Sequence, residues 1–173
     1  KAIESNLSLL YHRNVRVLDI FAARIILELA GATISLISLT ALFVSLRLMP
    51  PPADLLRVCV AWLLLSWFAV ALALFVGALS ERTEVVDRIW HTITYLIFPV
   101  SGAAYMVDWL PQDFQKIVLW LPMVHGVEML RKGYFGSEVR TYEDPGYFIM
   151  FNLVLLLLAL CLVRETGRRV EPE

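Results

Sequence analysis

His125 and Glu128 stand three positions apart in the run Val124-His-Gly-Val-Glu-Met-Leu-Arg-Lys132. That spacing puts an imidazole and a carboxylate on one face of a helix. Such a pair can begin a metal site, or serve as acid and base. A metal site needs a third and usually a fourth ligand. The other histidines, His12 and His91, lie far away in the chain, and no HExxH helix accompanies them. Arg131 and Lys132 follow Glu128 at i+3 and i+4, so the spacing favours an ion-pair cluster over a metal centre. No metal and no catalytic residue is expected. There is no GxxxxGK[ST] loop to cradle phosphates and no GxSxG nucleophile turn.

A second group of side chains could recognise a ligand without reacting with it. Trp90, Tyr95, Phe98, Tyr105, Trp109, Phe114 and Trp120 crowd into one stretch. Aromatic planes stack on the C–H faces of sugar rings, and they also populate membrane interfaces and apolar cores. The stretch is broken by Pro99, Gly102, Pro111 and Pro122, so short elements must position these rings.

The elements around it are apolar. Hydrophobic residues make up 59% of the 173-residue chain and charged ones 18%, with a net charge of −1. That balance excludes a nucleic-acid-binding surface and points to lipid. The charges fall almost entirely between long uncharged runs at 25–46, 58–79 and 148–163. About 20 helical residues cross the hydrocarbon, so each run reads as a span or most of one. The run 89–98 covers only about 15 Å as a helix before Pro99. Irregular backbone at membrane depth survives only beside protein or water, which implies a passage.

The fold expected is an all-α integral membrane protein. Four spans form a polytopic bundle, with short re-entrant helices between the last two. Residues 19–48 and 55–79 are two transmembrane helices, 84–110 an interrupted third, and 147–164 the fourth. Residues 111–136 form short re-entrant or interfacial helices, with pieces at 114–121 and 124–130 and turns at Gly133 and Gly136. Residues 165–173 are a tail, and its arginines together with the basic N-terminal flank favour cytoplasmic termini. Glu28, inside the first span, should face protein or water or pair with Arg24. Ala69, Ala73 and Gly77 suggest a close helix contact. Cys59 and Cys161 read as small buried hydrophobes.

Residues 1–18 carry Ile3, Leu7 and Leu10 on one helical stripe, followed by His12, Arg13 and Arg16. The pattern suits a helix lying on lipid as well as one docked in a partner's groove.

Three segments carry a resemblance: Leu10-Tyr-His-Arg-Asn-Val-Arg-Val-Leu-Asp19, Phe98-Pro-Val-Ser-Gly102, and Leu121-Pro-Met-Val-His-Gly-Val-Glu-Met-Leu-Arg-Lys-Gly-Tyr-Phe-Gly136. They resemble the permease subunit of capsular-polysaccharide exporters, the ABC-2-type transporters of Gram-negative bacteria, over essentially the whole chain. Members of that family have six spans, and by this resemblance an amphipathic helix and two spans are missing ahead of Lys1. The resemblance implies that residues 1–18 hold a coupling helix for a separate ATPase subunit, with Leu7, Leu10, Tyr11, Arg13 and Arg16 as its contacts. It also implies a periplasmic gate after residue 100. Tyr95, Phe98, Tyr105, Trp109, Trp120, His125, Glu128 and Arg131 are the candidate path and gate residues.

The partners implied are the ATP-binding subunit, a second permease copy, a periplasmic adaptor with an outer-membrane export protein, membrane lipids, and a lipid-linked polysaccharide as cargo. No cofactor is expected in this chain, since ATP and Mg would sit on the partner subunit. The expected location is the bacterial inner membrane. The competing readings are a membrane-embedded enzyme using His125 and Glu128, a permease for another surface glycan such as O-antigen or teichoic acid, and a non-transporting scaffold.

Overall fold

Uninterrupted aliphatic runs leave no face for water, so the long helices form where the sequence excludes charge. The computed structural model describes residues 17–170, with six α-helices and no strand among the described residues. These are α1 (Val17–Ser45), α2 (Leu55–Ser80), α3 (Glu84–Val100), α4 (Gln112–Val118), α5 (Pro122–Phe135) and α6 (Pro145–Val170). Single 3-10 turns at Val107–Trp109 and Gly136–Glu138 punctuate the connections. Three helices are long and apolar enough to cross a membrane, over Phe21–Ser45, Leu55–Ser80 and Pro145–Thr166. The expected coupling residues Leu7, Leu10, Tyr11, Arg13 and Arg16 lie outside the described residues.

Element boundaries differ from the sequence reading for local reasons. α3 does not stop before Pro99. It runs 17 residues and ends one residue beyond that proline. A proline in a last turn removes only one N–H bond, and the Ser101 N–H continues the pattern onto the Ile97 carbonyl at 2.8 Å. Pro122 opens α5 instead of closing α4. In a first turn its missing N–H would have had no partner anyway. α5 is one 14-residue helix, so Gly133 lies inside it and not in a turn. Pro145 likewise opens α6, which carries the last apolar run on to Val170.

Two compact units divide the chain. The first gathers α1, the later part of α2, the start of α3 and the later part of α6. Its core is Phe21, Leu74, Ala78, Ala159 and Val163. A Cβ on Gly77 would lie 2.7 Å from the Phe21 ring, so the close approach expected there is real. Ala69 and Ala73 are exposed, however, and the buried alanines of α2 are Ala61, Ala71 and Ala78. In an alanine-rich helix several rows of small residues coexist, and only packing selects among them. Glu28 and Arg24 are both exposed, and no ion pair joins them among the described residues. Cys59 and Cys161 are exposed as well, because an apolar position on a span suits lipid as readily as a core. Arg82, just beyond α2, clamps α6. It reaches Glu165 at 2.9 Å, the Leu162 carbonyl at 3.1 Å and the Thr166 hydroxyl at 3.2 Å.

The second unit gathers the start of α2, most of α3, α4, α5 and the start of α6. Two glycines let α5 lie against its neighbours. A Cβ on Gly126 would fall 2.5 Å from Leu65 and 2.7 Å from the Phe148 ring, and one on Gly133 would fall 2.7 Å from the Val58 nitrogen. Gly126 with Gly133, and Leu65 with Val58, share one helical interval, so the contact repeats once along the pair. The last carbonyls of α5 are satisfied by the chain entering α2. Asp54 N–H donates to Gly133 O at 2.8 Å and Ala53 N–H to Tyr134 O at 2.9 Å.

Candidate functional site

Short helices expose many unpaired carbonyls and N–H groups, and α4 and α5 have no side-chain N-cap bonds of their own. The side chains of His125, Glu128 and Arg131 meet this need from one face of α5. The His125 Nδ1 accepts the Asp144 N–H at 3.1 Å, and its Nε2 lies 2.8 Å from the Leu119 carbonyl. An amide N–H can only donate, so Nδ1 is the bare nitrogen and Nε2 carries the proton. The ring therefore joins the end of α4 to the cap of α6. Asp144 caps α6 in turn, its carboxylate accepting the Tyr147 N–H at 3.0 Å. Tyr147 packs edge-on against His125 with ring centroids 5.0 Å apart, and its hydroxyl donates to the Trp120 carbonyl at 2.8 Å.

Glu128 is fully buried, 0% exposed. One carboxylate oxygen accepts from Arg131 at 3.0 Å and the other accepts the Tyr142 N–H at 3.3 Å. Arg131 then donates to the Gly102 carbonyl at 2.6 Å and to the Ala103 carbonyl at 3.2 Å. Gly102 stands at φ +81°, a left-handed conformation that turns the chain after α3 and that side chains disfavour. One ion pair thus fastens two connections to α5, the one arriving from α3 and the one leaving for α6. Lys132 and Glu143 add a pair at 3.3 Å. Two phenols complete the set. Burial raises the pKa of Tyr105 above 10.0, and its hydroxyl donates to the Val100 carbonyl at 3.0 Å. A hydrogen bond to Asp108, 2.9 Å long, raises that of Tyr142.

This geometry holds shape and offers little to a reaction. A ring with both nitrogens occupied by backbone groups has no lone pair for a metal, and no metal-sized group of three His, Cys, Asp or Glu occurs among the described residues. The Glu128–Arg131 pair favoured by the spacing is present, with Glu128 fully buried and Arg131 partly so. Tyr105 is half-buried. The other candidate path residues point outward: Tyr95 is 81% exposed, Trp120 79%, and Phe98 and Trp109 nearly as open. The sequence reading did not single out Tyr142, Asp144 and Tyr147 as partners. Of these, only Asp144 carried a legible signal, an Asp before a Pro at a helix start.

Residues 4–135 match the ABC-2 type transporter family, which is most of the chain. The chain belongs to that family. Among relatives of this ABC-2 protein, the capsule polysaccharide export inner-membrane protein CtrC of Neisseria meningitidis serogroup B is 48% identical over 99% of the chain. The capsule polysaccharide export inner-membrane protein BexB of Haemophilus influenzae is 45% identical over the same share. The polysialic acid transport protein KpsM of Escherichia coli is 23% identical over 94%. This ABC-2 chain spans 65% of the length of the CtrC and BexB relatives.

Proposed function

We propose that this chain is the membrane subunit of an ATP-driven exporter that moves lipid-linked capsular polysaccharide across the bacterial inner membrane. The observation that carries the reading is the segment between α3 and α6. Short helices, unable to span, are fixed by a buried ion pair next to apolar spans, with Trp109 and Trp120 turned outward. Non-helical backbone beside spans needs protein or water around it, and a gate at the mouth of a passage supplies both. Family membership and the names of the relatives support the same reading.

In this reading residues 111–136 are the gate helices. Tyr95, Phe98, Tyr105, Trp109 and Trp120 meet the sugar chain, while His125, Glu128 and Arg131 keep the gate's form. Residues 1–18 dock on a separate ATP-binding subunit that carries ATP and Mg, and two copies of the membrane subunit enclose the passage. A periplasmic adaptor and an outer-membrane export protein continue the route. Closure of the ATPase dimer moves the docked segment and tilts α1, which follows it directly. Such a motion is driven only by contacts that differ between the two states.

The test is export itself, in cells lacking their own membrane subunit but holding the ATPase. Restored surface polysaccharide is expected, with loss of export in a Trp109→Ala, Trp120→Ala double variant that still co-purifies with the ATPase. Leu7→Asp with Leu10→Asp should abolish that co-purification. Full export by the tryptophan variant removes those rings from the path, and undiminished ATPase binding by the leucine variant removes the coupling assignment.

A further inference from the structure

The first span ends in a backbone conformation that favours glycine, and an arginine holds it. Arg47 stands at φ +57°, the one non-glycine residue with positive φ among the described residues. The hydrogen bonds around it define the turn. Arg47 N–H donates to the Val44 carbonyl at 3.0 Å, Leu48 N–H to the Phe43 carbonyl at 2.9 Å, and Met49 N–H to that same carbonyl at 3.3 Å. This pattern is a Schellman cap, whose left-handed position is usually glycine and sometimes asparagine. Any other side chain there costs roughly tenfold in the local equilibrium, because its Cβ crowds the following carbonyl oxygen.

An arginine at the end of a helix has two ordinary duties, and neither accounts for this one. It can bond the last carbonyls. Here the Leu42, Phe43 and Val44 carbonyls already accept from the Leu46, Leu48 and Arg47 N–H groups, and no hydrogen bond or ion pair holds the guanidinium among the described residues. It can also complement the helix dipole, which contributes up to about fivefold at an exposed end. That falls short of the backbone cost, and a base one residue away would serve the dipole without the strain.

The place of the turn supplies a third duty. The apolar stretch Phe21–Ser45 is 25 residues long, about 37 Å of helix, against a hydrocarbon layer of about 30 Å. Its end therefore reaches the headgroup layer, where lipid phosphates lie. Arg47 is exposed there between two apolar neighbours, Leu46 at 58% and Leu48 at 67% exposure. Exposed leucines on both sides of an unpaired base suit the boundary between acyl chains and headgroups. We propose that Arg47 is a binding site for the phosphate of an anionic membrane phospholipid at the end of α1. A guanidinium engages two phosphate oxygens through parallel N–H bonds. The bound headgroup offsets the backbone cost, so the strain and its purpose belong to one residue. It also fixes the depth of the end of α1. The site does not depend on the exporter reading.

Unfolding temperatures of the full-length protein in a neutral detergent test the site, with phosphatidylglycerol, phosphatidylcholine or inorganic phosphate added. Phosphatidylglycerol should raise the wild-type temperature by about 2–4 °C more than phosphatidylcholine does. In detergent alone Arg47→Gly should unfold about 2–4 °C above the wild type, since the strain is gone. It should lose more than half of the rise specific to phosphatidylglycerol. Arg47→Gln should lose the same rise without the higher starting point. Arg57→Gln is the control, because Arg57 is paired with Asp54 at 3.8 Å, and its removal should leave the rise in place. An Arg47→Gly protein less stable than the wild type in detergent alone would make the arginine an ordinary helix cap. A rise that survives in both Arg47 variants would place the lipid elsewhere, and an equal loss in Arg57→Gln would reduce the effect to general charge. The same rise with inorganic phosphate would make this a site for soluble anions. Any of these four results overturns the proposal.

Discussion

Arg131 lies 3.0 Å from Glu128 on the same face of α5, and through that contact a fully buried carboxylate becomes the joint between segments on either side of the helix. The pair's value is in what each partner also holds. Glu128 takes the Tyr142 N–H, and Arg131 takes two carbonyls at the end of α3. Arginine suits this place because its planar fork serves several acceptors at once.

Breaking the pair from either side should be severe. Removing one partner leaves the other buried and unpaired, at a cost of about 3–5 kcal/mol. Glu128→Ala and Arg131→Ala should each lower the unfolding temperature in detergent and open residues 101–106 to protease. The double variant Glu128→Leu, Arg131→Met should recover part of the loss. A double variant no better than the singles would show that the backbone contacts, not the uncompensated charge, dominate.

His125→Phe keeps a ring against Tyr147 but orphans the Leu119 carbonyl and the Asp144 N–H. Each orphaned group costs about 1–3 kcal/mol. Faster amide exchange is expected at Asp144 and Tyr147, at the start of α6, with α1 unaffected. Unchanged exchange at Asp144 would mean that its bond to Nδ1 contributes nothing.

The glycines of α5 should tolerate no methyl group. Gly126→Ala and Gly133→Ala place a Cβ within 2.7 Å of neighbouring atoms, and for Gly133 that atom is backbone. Gly31→Ala is the control, since nothing lies within 4 Å of its added Cβ. The control should be neutral or stabilising by up to about 1 kcal/mol through helix propensity. The α5 variants should lose folded yield. Equal behaviour of all three would contradict the close packing of α5 on α2.

Arg82→Ala removes three contacts to α6 at once. Hydrogen bonds to charged groups contribute about 1.5–3 kcal/mol each before solvent screening, and the Glu165 partner is half-exposed, so a total near the lower figure is expected. Arg82→Lys should restore little, because one ammonium cannot reproduce the fork. Thermal unfolding of the two variants side by side decides it, and full rescue by lysine would reduce the clamp to simple charge attraction.

Much of the fold was legible in the chain. The spans in α1, α2 and α6 follow from the exclusion of charge over about 20 residues, a constraint that acts locally and needs no partner. The Glu128–Arg131 pair follows from helical spacing alone. Other features were not legible. Whether Pro99 and Pro122 end a helix or sit in its terminal turns depends on where neighbouring backbone groups find partners. Which alanines of α2 are buried depends on which face meets Phe21 and α6.

The sequence by itself determined that this protein is helical, belongs in a membrane, and concentrates aromatic and ionisable groups between its third and last apolar runs. Periodicity and charge exclusion are properties of consecutive residues, so they survive without a fold. Only the tertiary structure decided that Glu128 is sealed inside and that both nitrogens of His125 are spent on backbone groups. Those outcomes join residues 102 with 131 and 125 with 144, and the register that unites them is set by the close approach at Gly126 and Gly133.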